Sequence, residues 1–278
     1  RAADSVVFVV GAGGQVGRYS TAVGLGGASL LGVTSLEAVW AASPVDAFAV
    51  GTGGTYSRPY LGGWSTWSTG VTTTLNGVWG TSASNVYAVG DGGVIRHYDG
   101  TNWTGMTSGT SQDLFRVWGS DSTDIWAVGA NGTTIHFDGA AWSAVTQSQT
   151  TALLSGVWGT SRTDVYAAGE GGAVLRWNGS AWTSQTSGTT SFLYGIWGGS
   201  SAEFVAVGVG GAMIRGSRTP SSVVVVPNAH TLFALGDTVR FAAPGVNWRG
   251  VAVPADSIVR ASSNPAVATV NASGLVTA

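Results

Sequence analysis

Apolar and polar residues alternate along short segments throughout the first 217 residues, and turns containing glycine separate these segments. One unit illustrates the pattern with the segments LFRVWGS (114–120), DIWAVG (124–129), TTIHFDG (133–139) and AWSAVT (141–146). Alternation with a period of two, bounded by turn residues, predicts four short β-strands joined by hairpins. The pattern therefore predicts an all-β chain.

The four-segment unit recurs about every 39 residues, a period typical of the four-stranded blades of propellers. The tryptophan of its first segment recurs at Trp40, Trp79, Trp118, Trp158 and Trp197. The tight turn after the second segment occurs six times, as AGG 12–14, TGG 52–54, DGG 91–93, ANG 130–132, EGG 170–172 and VGG 209–211. We therefore predict a six-bladed β-propeller with four-stranded antiparallel blades over residues 1–219.

The first and last units are incomplete at opposite ends. The first unit starts at its second segment, SVVFVVG (5–11), and the sixth ends after its third, GAMIRGS (211–217). We expect the incomplete blades to close the ring, because pairing of the chain ends would remove exposed sheet edges. The segment SSVVVVP (221–227) is predicted either to complete a blade or to begin the next domain.

The residues after Pro220 follow a different pattern. They contain Gly236–Asp237–Thr238, the run from Ser262 to Val270, and Ser273–Gly274–Leu275–Val276. This set resembles the group 2 bacterial immunoglobulin-like domain. The resemblance implies a small β-sandwich over residues 220–278, and we expect this copy to be incomplete because such a domain has further strands after the Gly-Leu-Val segment.

Composition excludes several classes of function. Only 9% of residues are charged, the basic residues are twelve arginines, and the net charge is −2, so the chain lacks the basic surface that binds nucleic acid. Cysteine is absent, which excludes disulfides and thiolate metal sites. No apolar run approaches the roughly 20 residues of a membrane-spanning helix.

The start of the chain bears on its location. It begins at Arg1, which fits either a matured exported protein or a fragment, so a preceding signal peptide or lipid anchor stays open. We expect a periplasmic or extracellular location, at the periphery of a membrane.

A basic side chain recurs four residues after the second turn glycine of each unit. The six positions are Arg18, Arg58, His97, His136, Arg176 and Arg215. Such a ring would suit an anion or carboxylate ligand. However, potential partners precede the second segment at Asp46, Asn85, Asp124, Asp164 and Glu203. We therefore predict that the ring is structural and that its members pair within or between blades.

The tryptophans divide into two predicted groups. The five that recur in the first segment of the unit are expected to fill the core between blades, because large aromatic residues at one repeated position pack there. The less regular ones are predicted to form an exposed contact surface, and they are Trp64, Trp67, Trp126, Trp177 and Trp248.

An Asp-Gly or Asn-Gly turn precedes a tryptophan in three units. These are Asp99–Gly100 before Trp103, Asp138–Gly139 before Trp142, and Asn178–Gly179 before Trp182. With the VWG and AVG segments, the blades resemble bacterial propellers of the Asp-box and photosystem stability and assembly-factor type. That resemblance implies one of three functions: secreted glycosidase, lectin-like module, or noncatalytic factor docking onto photosystem subunits.

The remaining polar residues do not form a catalytic pattern. Most aspartates occupy repeated turn positions, whereas glycoside hydrolysis needs two placed carboxylates or a tyrosine nucleophile with its own acid and base. His97 and His136 are equivalent residues of neighbouring units, which is not a zinc spacing. The run GAGGQVG (11–17) lies between two strands and is interpreted as a hairpin turn. We predict no catalytic, cofactor-binding or metal-binding residue.

These observations predict a noncatalytic, extracytoplasmic module for protein interaction. In its most specific form, the chain is an extrinsic subunit that braces or helps assemble a membrane complex such as a photosystem or reaction centre. The partners would be protein subunits of that assembly. The alternative is a lectin-like module that binds glycans at a cell surface, and a glycoside hydrolase ranks third.

Overall fold

The structure is a computed structural model. It describes residues 6–20, 24–30, 32–60, 63–145, 150–200 and 203–217, together with the short segments 222–223, 238–240, 245–246, 252–253, 269–270 and 275–277. In this part of the chain the regular elements are β-strands and five short 3-10 turns. The chain divides into two compact units, Arg1–Gly198 with Val205–Ile214, and Gly199–Phe204 with Arg215–Ala278.

Residues 6–217 form six consecutive antiparallel sheets, one for each predicted unit. Sheet 1 contains β1 (Val6–Gly11), β2 (Gln15–Ser20) and β3 (Gly24–Ser29). Sheet 2 contains β4 (Leu36–Ser43), β5 (Asp46–Gly51), β6 (Thr55–Tyr60) and β7 (Gly63–Ser68). Sheet 3 contains β8 (Leu75–Ser82), β9 (Asn85–Gly90), β10 (Ile95–Tyr98) and β11 (Trp103–Met106).

The next three sheets repeat this order. Sheet 4 contains β12 (Leu114–Asp121), β13 (Asp124–Gly129), β14 (Thr134–Phe137) and β15 (Trp142–Ala144). Sheet 5 contains β16 (Leu154–Ser161), β17 (Asp164–Gly169), β18 (Val174–Trp177) and β19 (Trp182–Ser184). Sheet 6 contains β20 (Leu193–Ser200), β21 (Glu203–Gly208) and β22 (Met213–Ser217). The predicted all-β architecture and the six units of a β-propeller are confirmed.

Among the described residues, the two end sheets have three strands each, and the predicted four strands are found in sheets 2 to 5. The described part of sheet 1 does not include the first strand of the unit, and that of sheet 6 does not include the fourth. The expected strand exchange between the chain ends is not found among the described strands, because β1 is an edge strand bonded to β2. Sheets 1 and 6 therefore remain separate sheets.

The second compact unit contains two small three-stranded sheets. One has the order β23 (Ser222–Val223), β25 (Gly245–Val246), β26 (Ala252–Val253), and the other has the order β24 (Thr238–Arg240), β28 (Leu275–Thr277), β27 (Thr269–Val270). Ser222 and Val223 pair with Val246 and Gly245. The described part of 221–227 therefore belongs to a sheet of the second unit and not to a blade of the propeller. The rest of that segment lies outside the described residues, and the immunoglobulin-like fold and the boundary at 219/220 stay predictions.

The tight turn after the second strand has the same geometry in sheets 2 to 6. Its middle residue has a positive φ, as in Gly92 with a φ of 66° and Asn131 with a φ of 52°. Glycine and asparagine adopt this conformation at the lowest cost. The glycine that precedes the turn allows close packing, because a Cβ on Gly129 would lie 1.9 Å from the carbonyl oxygen of Asp113.

Consecutive sheets pack face to face through the second strand of each unit. In β9, Tyr87 and Val89 cluster with Ile125 and Ala127 of the next sheet. Sheets 2 and 3 pack in the same way, with Phe48 and Val50 against Val86 and Ala88. Sheets 4 and 5 do so with Trp126 and Val128 against Val165 and Ala167. Alternate residues of one strand thus face the following and the preceding sheets.

The repeated tryptophan of the first strand packs against a glycine of the following sheet. A Cβ on Gly119 would lie 2.6 Å from Cη2 of Trp79, and one on Gly159 would lie 2.7 Å from the same atom of Trp118. Trp158 is buried as well. Trp40 makes the same contact, because a Cβ on Gly80 would lie 3.0 Å from its Cη2. The prediction that these side chains fill the core between blades is therefore confirmed for Trp40, Trp79, Trp118 and Trp158.

Candidate binding surfaces

The basic residues of the predicted ring form pairs inside their own sheets. Arg58 bonds Asp46 at 2.8 Å, His97 bonds Asn85 at 2.6 Å, His136 bonds Asp124 at 2.7 Å, Arg176 bonds Asp164 at 2.8 Å and Arg215 bonds Glu203 at 2.6 Å. Each partner is the residue that the sequence offered at the start of the second strand. In these five sheets the basic side chain is therefore held by a polar neighbour.

An aromatic side chain completes this arrangement in sheets 2 to 5. Arg58 lies over Phe48 at 4.6 Å and Arg176 over Tyr166 at 6.0 Å, while His97 contacts Tyr87 at 4.5 Å and His136 contacts Trp126 at 4.4 Å between ring centroids. We call each set of aromatic, basic and acceptor residues a triplet. The arginine triplets are stabilised by cation–π contact and a charge-assisted hydrogen bond. The histidine triplets are stabilised by contact between the two rings and a hydrogen bond.

In the triplets of sheets 3 and 4, the pKa of one member is lowered. Burial pushes the pKa of Asp124 upward, but the hydrogen bonds donated by His136 and Ser120 outweigh burial, and the pKa lies below its ordinary value. Burial lowers the pKa of His97, and the nearby charge of Asp99 opposes it only in part. The acceptor of His97 is the neutral Asn85, so this triplet favours a neutral imidazole.

The first and sixth triplets each lack one member. In sheet 6, Val205 occupies the aromatic position. In sheet 1, Arg18 lies opposite Phe8 as in the other units, but Val6 occupies the acceptor position. The Nε of Arg18 donates to the carbonyl oxygen of Pro44 at 3.3 Å. Among the residues that the structure describes, no carboxylate or amide side chain bonds the guanidinium of Arg18.

The tryptophan of the fourth strand also belongs to a repeated core position. Trp64, Trp103, Trp142 and Trp182 each make an edge contact with the triplet aromatic of the preceding sheet, at centroid distances of 5.9, 6.5, 6.5 and 5.3 Å. The assignment of Trp64 to an irregular group was therefore wrong. The signal was present in the sequence, because Trp64 precedes Trp103 by the same 39 residues that separate Trp103 from Trp142.

Two further predicted contact tryptophans are core residues. Trp126 is 1% exposed because it is the aromatic member of its triplet, and its prediction as an exposed contact residue was wrong. Trp177 is partly buried and packs on Trp126 at 5.0 Å. Trp67 is exposed at the outer strand of sheet 2, where it stacks on Tyr56. Trp248 lies outside the described residues.

A cavity of about 520 Å³ lies between sheets 1 and 2. Its walls include Phe8, Arg18, Tyr60 and Trp64, and its floor is the glycine-rich strand β3. A change in the repeat explains the space. In sheets 3 to 5, the residue opposite the fourth-strand tryptophan is aromatic, namely Tyr98, Phe137 or Trp177. In sheet 2, the residue opposite Trp64 is Pro59. Those three aromatic rings pack on the preceding sheet, whereas proline has no ring of that size.

Sheet 6 exposes the face that is buried at the corresponding positions of earlier sheets. Trp197 is 67% exposed, Tyr194 59% and Met213 68%, and Val207 and Val209 are exposed beside them. The equivalent Trp158 and Val128 are buried by a following sheet. Sheet 1 shows the complementary case, because Val7 and Val9 are exposed where Val86 and Ala88 are buried. The prediction that the repeated tryptophans lie in the core therefore fails at Trp197.

The described residues contain no group of three or more His, Cys, Asp or Glu side chains placed to hold a metal ion. Within the same ranges, no helix has the length and apolarity that crossing a membrane requires. The complete triplets also do not converge on one site, because they lie one in each of sheets 2 to 5.

Comparison with known proteins identifies structural relatives at low sequence identity. No family model matches the chain, and no curated protein matches it in sequence. A solved structure described as YCF48 bound to D1 peptide superposes with a TM-score of 0.58 at 15% identity, covering 77% of this chain and 78% of that one. YCF48 from Cyanidioschyzon merolae gives 0.56 at 18% identity, covering 74% and 80%. The WD40 repeats of RRP9 give 0.61 at 8% identity, covering 73% and 70%.

These likenesses establish the β-propeller fold alone, because all three identities are far below the level at which function is shared. They agree with the six sheets described above. The function has to be argued from the surfaces of this chain.

Proposed function

We propose that the propeller is a noncatalytic protein-interaction scaffold, and that the exposed face of sheet 6 is its docking surface. The observation that carries the proposal is the exposure of Trp197 on a sheet face whose equivalents are buried in earlier sheets. A contiguous patch of large apolar side chains is the usual mark of a protein contact surface.

The chemistry of the partner follows from the interfaces inside the propeller. There, the same face is covered by a β-sheet that offers small apolar side chains such as Ala88 and Ala127, and a glycine opposite the tryptophan. We therefore propose a partner that presents a flat β-sheet face with small residues. Trp197 would contact its backbone.

The structural likeness supports a protein as the partner. One of the similar structures is described as YCF48 bound to D1 peptide, so that propeller binds a polypeptide. We extend the proposal to an extracytoplasmic role, as an extrinsic subunit that braces or helps assemble a membrane complex such as a photosystem or reaction centre. The low charge of the chain suits a broad docking surface of weak polarity.

The test is gentle detergent extraction of native membranes, followed by size-exclusion chromatography and mass spectrometry. The wild-type chain is expected to migrate with an integral-membrane assembly, and Trp197→Asp is expected to lose this comigration. Val45→Asp is the matched control, because Val45 is also highly exposed but lies in the turn between β4 and β5. Recovery of the wild type as a free monomer would contradict the scaffold role.

Self-association has to be separated from binding to another protein. The exposed Val7 and Val9 of a second copy could cover the sheet 6 face, since they occupy the positions that cover it elsewhere. Sedimentation velocity from low to high concentration distinguishes the two cases. If the wild type forms a dimer and Trp197→Asp abolishes it, the partner of this face is a second copy of the chain and not another protein.

A second candidate function is carbohydrate binding, favoured by the cavity that Tyr60 and Trp64 line. Its volume suits a small ligand, and aromatic walls can stack on the apolar face of a sugar. Binding on a glycan array that Trp64→Ala abolishes and Trp67→Ala leaves unchanged would favour this function. No response to any glycan would exclude it.

A further inference from the structure

We propose that the cavity between sheets 1 and 2 binds a carboxylate carried on a ring, either a sugar acid or an aromatic acid. The guanidinium of Arg18 would hold the carboxylate, and Phe8, Tyr60 and Trp64 would contact the ring. This proposal is independent of the protein-docking surface on sheet 6. It concerns the same cavity as the carbohydrate candidate, and its sugar-acid form deepens that candidate by assigning a charge to the ligand.

The first step of the argument is the missing acceptor of Arg18. In sheets 2 to 6 the equivalent basic residue bonds a side-chain oxygen at 2.6 to 2.8 Å. In sheet 1 that position is Val6, and Arg18 makes one long bond to the carbonyl oxygen of Pro44 through Nε. The terminal nitrogens of an arginine suit bidentate binding of a carboxylate.

The second step is the space in front of this guanidinium. At the other interfaces an aromatic residue at the position of Pro59 packs on the preceding sheet, for example Phe137 on Tyr87 at 5.9 Å. Pro59 leaves that volume open, and Gly26 and Gly27 of β3 place no side chains in it. The missing acceptor and the missing ring therefore occur at the same interface.

The third step is the size and chemistry of the walls. A volume of about 520 Å³ is in the range of small-ligand sites. Phe8 and Trp64 meet edge to face at 5.9 Å, so they form a stable aromatic corner beside Arg18. One cation and several aromatic faces match a ligand with one negative charge and one flat apolar surface.

The test uses isothermal titration calorimetry of the full chain with glucuronate, benzoate, glucose and acetate. Glucuronate or benzoate is expected to bind, and Arg18→Gln is expected to weaken that binding about tenfold or more. Arg215→Gln is the matched control and should leave it unchanged, because Arg215 is paired with Glu203. Binding of glucuronate alone identifies a sugar acid, and binding of benzoate alone identifies an aromatic acid.

Two further variants restore the pattern of the other sheets and so avoid damage to the fold. Val6→Asp supplies Arg18 with the carboxylate that Asp46 gives Arg58, and Pro59→Phe places a ring in the cavity. Each is expected to abolish binding while the melting temperature stays equal or rises. Thermal scans by circular dichroism check the folding of every variant.

Several results would overturn the proposal. They are equal binding of glucose and glucuronate, unchanged binding in Arg18→Gln, unchanged binding in Val6→Asp, and no binding of either ring carboxylate. If glucose binds as tightly as glucuronate, the ligand needs no negative charge, and the carbohydrate candidate remains without the further inference. If glycans and both acids all fail to bind, the carbohydrate candidate fails as well.

Discussion

Asp124 and His136 lie 2.7 Å apart through Oδ1 and Nε2, and the side chain of Asp124 is completely buried. Ser120 bonds the second carboxylate oxygen, so both oxygens of this buried group are satisfied. A buried carboxylate is tolerated only with such partners.

The first prediction concerns acid stability. The pKa of Asp124 is lower in the folded than in the unfolded protein. The stability that its carboxylate contributes is therefore fully present above the unfolded pKa of about 3.9, and it is lost as the pH falls through the folded pKa. Asp124→Asn is expected to lower the free energy of unfolding by about 1–3 kcal/mol at pH 7. It should also reduce the loss of stability below pH 4. Urea titrations at several pH values measure both effects.

The control for Asp124 is Glu203→Gln, which breaks the exposed pair with Arg215. An exposed ion pair contributes little, so this change should stay within about 1 kcal/mol. Equal costs of the two substitutions would show that burial of Asp124 does not determine the effect.

The second prediction concerns His97. Burial lowers its pKa in the folded protein, so His97 reduces stability as the pH falls below the unfolded value of about 6.5. Asn85→Asp would give it the acceptor that His136 has, and the pKa of His97 is expected to rise. If the pKa rises above 6.5, the new pair adds stability that is complete below 6.5 and lost at higher pH.

NMR titration of the imidazole signals measures this change directly, since the chain contains three histidines. His136 serves as the internal reference because its own triplet is untouched. A His97 pKa that is equal in the wild type and Asn85→Asp would contradict the role assigned to the acceptor.

The third prediction compares two glycines at the same position of the repeat. A Cβ on Gly77 would lie 3.0 Å from Cα of Arg116 and from the carbonyl oxygen of Phe115 in the next sheet, whereas a Cβ on Gly195 meets no atom within 4 Å. Gly77→Ala is expected to cost about 1–3 kcal/mol through overpacking. Gly195→Ala should stay within about 0.5 kcal/mol. Chemical denaturation measures both, and equal costs would mean that the face of sheet 6 is covered.

The fourth prediction compares two tryptophans of the first strand. Trp158→Ala removes a buried side chain and is expected to cost about 3–5 kcal/mol. Trp197→Ala removes a side chain that is mostly exposed, so the isolated protein should lose less than about 1 kcal/mol. Thermal unfolding of the two variants provides the comparison. A large loss for Trp197→Ala in a monomer would refute the assignment of its face as a docking surface.

The fold was predictable because the information lies in short periodic segments. The spacing of Trp79 and Trp118, with the alternation of Tyr87 and Val89, specifies strands and their repetition. Packing between identical units then requires no further long-range information. The pairing partners of the basic ring were visible for the same reason, since Asp46 and Arg58 keep a constant separation in the repeat.

The exposed surfaces were not predictable from the same pattern. The segments LSGVWG and LYGIWG are nearly alike, yet Trp158 is buried and Trp197 is exposed. The difference depends on whether another sheet follows, which a local sequence does not encode. Trp126 was misassigned because tryptophan replaces the Phe48 and Tyr87 of other units at a position that carries an aromatic residue in sheets 1 to 5.

The cavity beside Arg18 required a comparison of units in three dimensions. Val6 and Pro59 are 53 positions apart, and each alone is an ordinary substitution in a repeat. Pairing of β1 with β2 and of β6 with β7 shows that both changes face the same interface. Their common effect on Arg18 is therefore a property of packing.

The strongest inter-sheet contacts of the described propeller join sheets that are neighbours along the chain, from β1 with β4 through β12 with β16. Sheets 1 and 6 each present one uncovered face, where Val7, Val9 and Trp197 are exposed, so each buries less apolar surface than an inner sheet. Amide hydrogen exchange should consequently be slowest in β9 and β13 and should quicken toward both ends. Unfolding would then proceed inward from the two ends, and a partner that covers Trp197 would slow it from one side.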